Sequence, residues 1–284
     1  MILLADGGST KVDWSLIDKG QLVKRVFTKG ANPFFRTSEE IAHELKETLV
    51  PELDGIDIYS VYFYGAGCAT SEKIDVVKVA IESSLGKTPI NVGSDLLGAA
   101  KGLCGNQPGI ACILGTGSNS CLYDGEQIVE NISPLGYILG DEGSGAVLGR
   151  LFLGACLKNQ FSEGVKETFL METGLTIPEI LEKVYREKLP NRFLAKLTPF
   201  IKQHLDDKSV YNLVFNNFED FFKRNVMQYD YKSHKIYFTG SIAYHFQDVL
   251  VEVAESLGIQ VEKICQSPMA GLVEYYSQGG LKSM

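Results

Sequence analysis

Asp6-Gly7-Gly8-Ser9-Thr10-Lys11 and Gly115-Thr116-Gly117-Ser118-Asn119-Ser120 are the two stretches on which the reading of this chain turns. Each follows a short apolar run, residues 2–5 and 110–114, and each leads into a second run of strand character, residues 12–17 and 121–123. Both therefore read as turns joining the first and second strands of a half-chain. Glycine lets backbone N–H groups approach an anion closely because no Cβ stands in the way, and Ser and Thr hydroxyls add donors at the same rim. A single such turn is an ordinary hairpin. Two at matching positions, the first introduced by Asp6, read as a pair of anion-binding loops facing across an interdomain cleft, able to hold adjacent phosphates of one nucleotide. Neither fits the G-x-x-x-x-G-K-[ST] phosphate loop, and neither opens a helix as a dinucleotide-binding turn does. Asp6, at a strand's C-terminal end, suits a contact to Mg²⁺ through water.

Outward from the first turn, the pattern predicts strands at 2–5, 12–17 and 22–27, then a helix at 38–49 with Ile41, Leu45 and Leu49 at helical spacing. Strand 61–64, helix 72–85, strand 90–92 and helix 95–103 complete the order β-β-β-α-β-α-β-α. Gly105-Asn106-Gln107-Pro108-Gly109 is the clearest turn cluster and the expected boundary, which makes 1–105 the N-terminal domain. The order then restarts in a C-terminal domain, 106–268, with strands 110–114, 121–123 and 127–132. A mostly helical stretch, about 146–229, has no counterpart in the first half and reads as an insertion. Strand 236–239, helix 242–257 and strand 260–262 follow, and a final helix, about 269–284, is free to join the N-terminal domain. The duplication lies in element order rather than in residues.

The 284 residues suffice for two cores, and 45% hydrophobic with 22% charged residues is ordinary for a globular protein. A net charge of −8 and a pI near 5.2, with no long Lys/Arg cluster, argue against nucleic acid as a partner. A polyphosphate ligand stays open, because backbone N–H groups and Mg²⁺ neutralise phosphate without a basic surface. Residues 1–6 show no basic leader, and no apolar run approaches the ~18 residues needed to span a bilayer, so a cytoplasmic protein with no membrane partner is expected. The six cysteines are scattered through apolar stretches and read as buried thiols. His43, His204, His234 and His245 lack metal-ligand spacing, and Trp14 reads as core.

Asp6-Gly7-Gly8-Ser9-Thr10-Lys11, Gly115-Thr116-Gly117-Ser118-Asn119 and Gly140-Asp141-Glu142-Gly143-Ser144, taken together, resemble the signature motifs of the N-acetylglucosamine kinase-like group. That group belongs to the BadF/BadG/BcrA/BcrD-type ATPase family, in the sugar kinase/heat-shock/actin superfamily. The resemblance covers the whole chain in order and spacing. It implies an α/β fold of two ribonuclease H-like (actin-like ATPase) domains with the helical insertion in the second. It also implies a kinase that moves the γ-phosphate of ATP, with Mg²⁺, onto an N-acetylated amino sugar, most naturally the 6-hydroxyl of N-acetylglucosamine.

Asp95 begins a helix directly after strand 90–92, so its carboxylate stands at the cleft end of the sheet. From the residues alone, a capping aspartate and a catalytic base read equally well; the resemblance assigns the base. Asn32, in Gly30-Ala31-Asn32-Pro33, is a stock turn residue that the resemblance makes a sugar ligand. The resemblance matches Asp141 to a sugar-binding aspartate and Leu135 and Gly136 to the preceding loop, which lines the acetamido pocket, while Glu142 reads as the start of the following helix. The resemblance puts Gly240 and Ser241, and Ala270 and Gly271, at the nucleoside, although both pairs also read as ordinary strand-to-helix turns.

Two departures stand out. Ser9 replaces a glycine usual in the first loop, and Ser133-Pro134-Leu135-Gly136-Tyr137 stands where many relatives have Gly-Gly-Trp-Gly. The competing readings are an ATPase that activates a reductase or dehydratase through an iron–sulfur cluster, and a sugar sensor without catalysis. A homodimer is compatible with the sequence.

Overall fold

The fold comes from a computed structural model that describes residues 1–8 and 10–277, so Ser9 and the 278–284 portion of the last predicted helix lie outside the described residues. Two compact units result. One holds Met1–Pro108, Tyr123–Val129 and the chain from Ser267 onward; the other holds Gly109–Leu122 and Glu130–Gln266.

In unit 1 the strands are β1 (Ile2–Gly7), β2 (Lys11–Asp18), β3 (Gln21–Lys29), β4 (Ser60–Gly65) and β5 (Ile90–Ser94). They form one sheet in the order β3-β2-β1-β4-β5. The first three run antiparallel as a meander, and β4 and β5 run parallel to β1. Helices α1 (Ser38–Thr48), α2 (Ser71–Leu85) and α3 (Asp95–Cys104) supply the connections. The Thr37–Glu40 capping box, Thr70 and Ser94 satisfy orphan N–H groups at their starts. The run Ile2-Leu3-Leu4-Ala5 is apolar throughout because β1 is covered on both faces. Leu3 and Ala5 pack with Trp14, Phe63 and the α1–α2 side, while Ile2 and Leu4 face Tyr64, Met269 and Leu272. Trp14 is core as expected: fully buried, its indole N–H donates to the Thr28 hydroxyl at 3.0 Å.

Unit 2 repeats the plan. Strands β6 (Gly109–Leu114), β7 (Ser118–Tyr123), β8 (Ile128–Glu130), β9 (Ile236–Thr239) and β10 (Val261–Cys265) order as β10-β9-β6-β7-β8, with β9 parallel to both β6 and β10. This is the same strand order as in unit 1, and it gives the chain its duplicated α/β, actin-like architecture. Where unit 1 has one helix between its third and fourth strands, unit 2 has α4 (Gly136–Leu139), α5 (Gly145–Leu157), α6 (Val165–Thr173), α7 (Ile177–Tyr185), α8 (Pro190–Ala195), α9 (Thr198–Gln203) and α10 (Lys208–Arg224). Phe152, Phe169, Phe200, Phe218, Phe221 and Phe222 from these helices extend the unit's core. The single helix expected at 242–257 is two, α11 (Ser241–His245) and α12 (Gln247–Ser256). Phe246 leaves helical geometry (φ −108°, ψ 21°) while its buried ring meets Phe218 edge-on at 6.3 Å. Tyr123–Val129, which spans the end of β7, the turn and most of β8, groups with unit 1 although β7 and β8 belong to the second sheet.

The last described helix, α13 (Met269–Ser277), belongs to unit 1 and crosses α3 at glycine on both sides. A Cβ on Gly271 would lie 1.7 Å from the Gly102 carbonyl oxygen. Gly271→Ala must therefore push two helix backbones apart. We expect a loss of about 2 kcal/mol or more in urea unfolding, against a neutral or slightly stabilising effect of about 0.5 kcal/mol for Gly154→Ala, whose Cβ meets nothing within 4 Å. Equal stabilities for the two variants would contradict this packing account.

Candidate active site

In unit 1, β1, β4 and β5 end together. Strand register sets Asp6 opposite Tyr64, and Gly65 opposite Ser94, so Asp6 on β1 and Asp95 just after β5 stand at the same C-terminal edge of the sheet, with β4 between their strands. That edge is where open α/β sheets accept ligands. Gly7 is glycine for a local reason: a Cβ there would lie 2.6 Å from the Phe63 ring. Asp95 accepts the Leu96 N–H at 2.9 Å, and Ser94 caps α3 by accepting from the Leu97 N–H at 3.2 Å. The cap is thus Ser94, one residue before Asp95. Ser267, just before α13, donates its hydroxyl to Asp6 at 3.2 Å.

Asp6 and Asp95 are half-buried residues, and the protein around their carboxylates displaces enough water to disfavour charge. Asp6 is pushed up to about 6, first by burial and then by the like charges of Asp95 and Asp13, against the Ser267 hydrogen bond and the Lys11 charge. Burial raises Asp95 as well, opposed by the Leu96 N–H and its own N–H. Buried Asn32 accepts the Phe34 N–H at 3.0 Å in a local turn, and its Oδ1 occupies the space a Cβ on Gly67 would fill. Lys11 is exposed and places Nζ 4.9 Å from the centre of the Phe27 ring. Gly8 and Thr10 are exposed, and the Thr10 carbonyl accepts the Gly30 N–H at 2.9 Å.

Two neighbours were missed from sequence. Asp13, directly opposite Asp6 in the β1–β2 register, is buried and paired with Arg25, whose Nε donates to it at 2.7 Å. A charged residue between Val12 and Trp14 was its signal. Cys68 lies near Asp95, and its thiol is pushed up to about 12 by burial and then by that carboxylate; nothing in its spacing marked it.

Unit 2 gathers a second set. The Gly115 and Thr116 carbonyls accept the Gly145 and Ala146 N–H groups at 2.8 and 3.0 Å, fastening the β6–β7 turn onto the start of α5. Asp141 reaches this turn: its carboxylate accepts backbone N–H bonds from Ser118 and Gly136. A Cβ on Gly117 would lie 2.9 Å from Asp141 Oδ2, so glycine permits the approach. Burial pushes Asp141 up to about 6, and the Glu142 charge adds to the rise. Gly240, at φ +112°, runs close beneath the same turn, where a Cβ would lie 2.3 Å from the Leu114 carbonyl oxygen. Leu135 and Asp141 are both left-handed, at φ 62° and 53°, and Leu135 is 61% exposed. Ser241 and Ala270 are exposed.

The expected residues thus fall into a unit 1 group (Asp6, Gly7, Gly8, Thr10, Lys11, Asn32, Asp95, Ala270, Gly271) and a unit 2 group (Gly115, Thr116, Gly117, Ser118, Leu135, Gly136, Asp141, Gly240, Ser241). Gly271 is required by the α3–α13 crossing whatever ligand is nearby. Glu142 does not start a helix: α5 begins at Gly145 with Ser144 as its cap, and Glu142 is buried in an ion pair with Arg224 at 2.5 Å. Among the described residues no group of three His, Cys, Asp or Glu side chains is placed to hold a metal ion, and no helix is long and apolar enough to cross a membrane.

The crystal structure of a proposed N-acetylglucosamine kinase from Porphyromonas gingivalis is similar to this chain, with 50% identity and a TM-score of 0.95 over 99% of this chain and 100% of that one. A second proposed N-acetylglucosamine kinase, from Chromobacterium violaceum, matches at 17% identity and TM-score 0.72 over 96% and 98%. A ROK-family glucokinase from Streptomyces griseus, in complex with glucose and AMPPNP, matches at 16% and 0.58 over 98% and 99%. The last two carry the fold alone. No family model matches the chain, and no curated protein does.

The raised Asp6 carboxyl has a measurable consequence for the ligand-free protein. Its folded value of about 6 stands above the ordinary aspartate value of 3.8, so the folded state holds the proton more tightly. The resulting stability is fully present below pH 4 and is lost as pH rises through 6. Asp6→Asn should therefore be more stable than the parent at pH 7, by on the order of 2 kcal/mol, and equal to it at pH 3.5. Urea midpoints in chelator at the two pH values check this. A pH-independent gap would contradict it.

Proposed function

Because this chain belongs to the N-acetylglucosamine kinase-like group of the BadF/BadG/BcrA/BcrD-type ATPase family, we propose that it phosphorylates an N-acetylated amino sugar with ATP. N-acetylglucosamine, at its 6-hydroxyl, is the acceptor that fits this membership best. The observation that carries the chemistry is the placement of Asp6 and Asp95 at one C-terminal sheet edge, on either side of β4 and close enough for Asp95 to raise Asp6, both with depressed tendency to ionise.

Phosphoryl transfer asks the protein mainly for positioning, charge stabilisation and a proton acceptor. Asp95 is the base. It takes the hydroxyl proton as the sugar oxygen bonds to the γ-phosphorus, while the bond from that phosphorus to the bridging oxygen breaks and ADP leaves. A carboxylate raised toward neutral pH is better matched to accepting a proton than an ordinary surface aspartate. Gly7, Gly8, Ser9, Thr10 and Lys11, with Gly115, Thr116, Gly117 and Ser118, offer N–H, hydroxyl and ammonium donors to the phosphates. Mg²⁺ supplies charge neutralisation when bound; Asp6 would hold it through water, and a carboxylate crowded by Asp95 and Asp13 fits a cation. Gly240, Ser241 and Ala270 line the nucleoside side. Asn32, Leu135, Gly136 and Asp141 contact the sugar, where carboxylate and amide groups match a ligand rich in hydroxyls. ATP as co-substrate suits a cytoplasmic setting.

An iron–sulfur activator is the weaker reading. A cluster shared at a subunit interface needs accessible thiols, whereas Cys68, Cys104, Cys112, Cys121 and Cys156 are buried.

The test is a panel of sugars with ATP and Mg²⁺, scored by ADP release and by detection of the phosphosugar. N-acetylglucosamine should drive ADP release in step with product, and ADP release independent of any sugar would contradict the proposal. Asp95→Asn should lower kcat by about 10²–10⁴-fold with KM for ATP nearly unchanged. Wild-type turnover in that variant would remove the base.

A further inference from the structure

The helical insertion has a face that the activity above leaves unexplained. Asn217 and Arg224 lie on α10, and Asn225 forms its C-cap. At i, i+7 and i+8 these three share one side of the helix. All three grip the two residues that follow Asp141. The Gly143 N–H donates to Asn217 Oδ1 at 3.1 Å, Arg224 pairs with Glu142 at 2.5 Å, and Asn225 Nδ2 donates to Glu142 Oε2 at 3.4 Å. Phe221, from the same face, stands so close that a Cβ on Gly143 would lie 3.0 Å from its own Cβ. Asn217 and Asn225 are buried, at 1% and 5% exposure, and so is Glu142 at 8%.

The loop holds one non-glycine residue, Asp141, against its local backbone preference. Asp141 at φ 53° and Gly143 at φ 76° are both left-handed, a region in which a non-glycine residue is disfavoured. Before Glu142 the loop has its own restraints: the Gly140 N–H donates to the Gly136 carbonyl at 2.8 Å, the Asp141 N–H to the Pro134 carbonyl at 2.8 Å, and the Asp141 carboxylate accepts from Ser118 and Gly136; after it the Ser144 N–H donates to the Asp141 carbonyl at 3.0 Å. Strained backbone of this kind persists where surroundings over-determine it. The Asp141 carboxylate itself accepts from the Ser118 and Gly136 N–H groups, and the side-chain bonds from α10 hold the two residues that follow it.

We infer that Asn217, Arg224 and Asn225 are positioning residues, a clamp on the far side of the Gly140–Ser144 loop that sets Asp141 for the acceptor sugar. The inference rests on the reading of Asp141 as a sugar-contacting residue. It gives α10 a role in acceptor recognition with no contact to the sugar.

The experiment compares steady-state kinetics of Asp141→Ala, Asn217→Leu, Arg224→Met and Arg224→Lys, with Lys223→Met as control. Lys223 is the neighbouring helix cation, paired with Glu219 rather than with the loop. Asn217→Leu and Arg224→Met should raise KM for the amino sugar about tenfold or more, with KM for ATP within about twofold of the parent. Arg224→Lys should recover most of the loss, because the charge on Glu142 is again met. Lys223→Met should match the parent. A merely structural role would instead lower the folded fraction, and with it apparent kcat, without splitting the two KM values. Thermal melts identify any variant that does not fold; Arg224→Lys and the control then carry the comparison, and a tenfold loss in Arg224→Lys equal to that in Arg224→Met would also count against the pairing. If Asp141→Ala raises the sugar KM and the folded clamp variants do not, the clamp is wrong. If Asp141→Ala leaves the sugar KM unchanged, the acceptor reading of Asp141 falls and the clamp with it.

Discussion

Two aspartates at one C-terminal edge of parallel strands, on either side of β4 and both starved of water, are the constraint around which the rest of this chain is arranged. Asp6 and Asp95 repel each other, and burial raises the cost of charge on both. Such a pair is tolerated when something offsets it: a cation, a proton in transit, or a ring of donors. Ser267 and Lys11 offset part of the cost at Asp6, and Arg25 absorbs the nearby charge of Asp13. Under the proposed function, Mg²⁺ beside Asp6 and a hydroxyl proton on Asp95 would offset what is left over. The sheet supplies the geometry, because register alone brings β1, β4 and β5 to a common edge.

Glycine sets the second theme, and its reasons differ from place to place. Gly117 makes room for the Asp141 carboxylate, Gly240 for the Leu114 carbonyl and Gly271 for a helix crossing. Only the first of these bears on chemistry at the turn itself. A glycine in a signature motif can be demanded by packing alone, and the Gly102–Gly271 contact shows how a residue assigned to a nucleotide can owe its identity to a neighbouring helix.

Much of the architecture was legible in the residues. The unbroken run Ile2-Leu3-Leu4-Ala5 announced a strand covered on both faces, and the restart of strand order after Gly105-Asn106-Gln107-Pro108-Gly109 announced the duplication. Trp14 read as core and is core. What escaped depended on contacts between residues far apart in sequence. The break at Phe246 answers to Phe218, and the burial of Glu142 answers to Arg224 and Asn225, 82 and 83 positions on. Asn217, 74 residues from the Gly143 N–H it accepts, looks in sequence like one more polar position on an amphipathic helix. Local pattern announces elements; it is silent on which polar groups they bring to one another.

Site-resolved NMR titration of the aspartate carboxyls, with and without Mg²⁺ and ATP, tests the central constraint most directly. In the ligand-free protein the account predicts that Asp6 titrates near 6 and that Asp95 titrates above the ordinary aspartate range, with Mg²⁺ and ATP drawing Asp6 down by a unit or more, on the order expected for a carboxylate gaining a cation. Ordinary titration of both near the value of about 3.9 found in unstructured peptides, unmoved by Mg²⁺ and ATP, would contradict it.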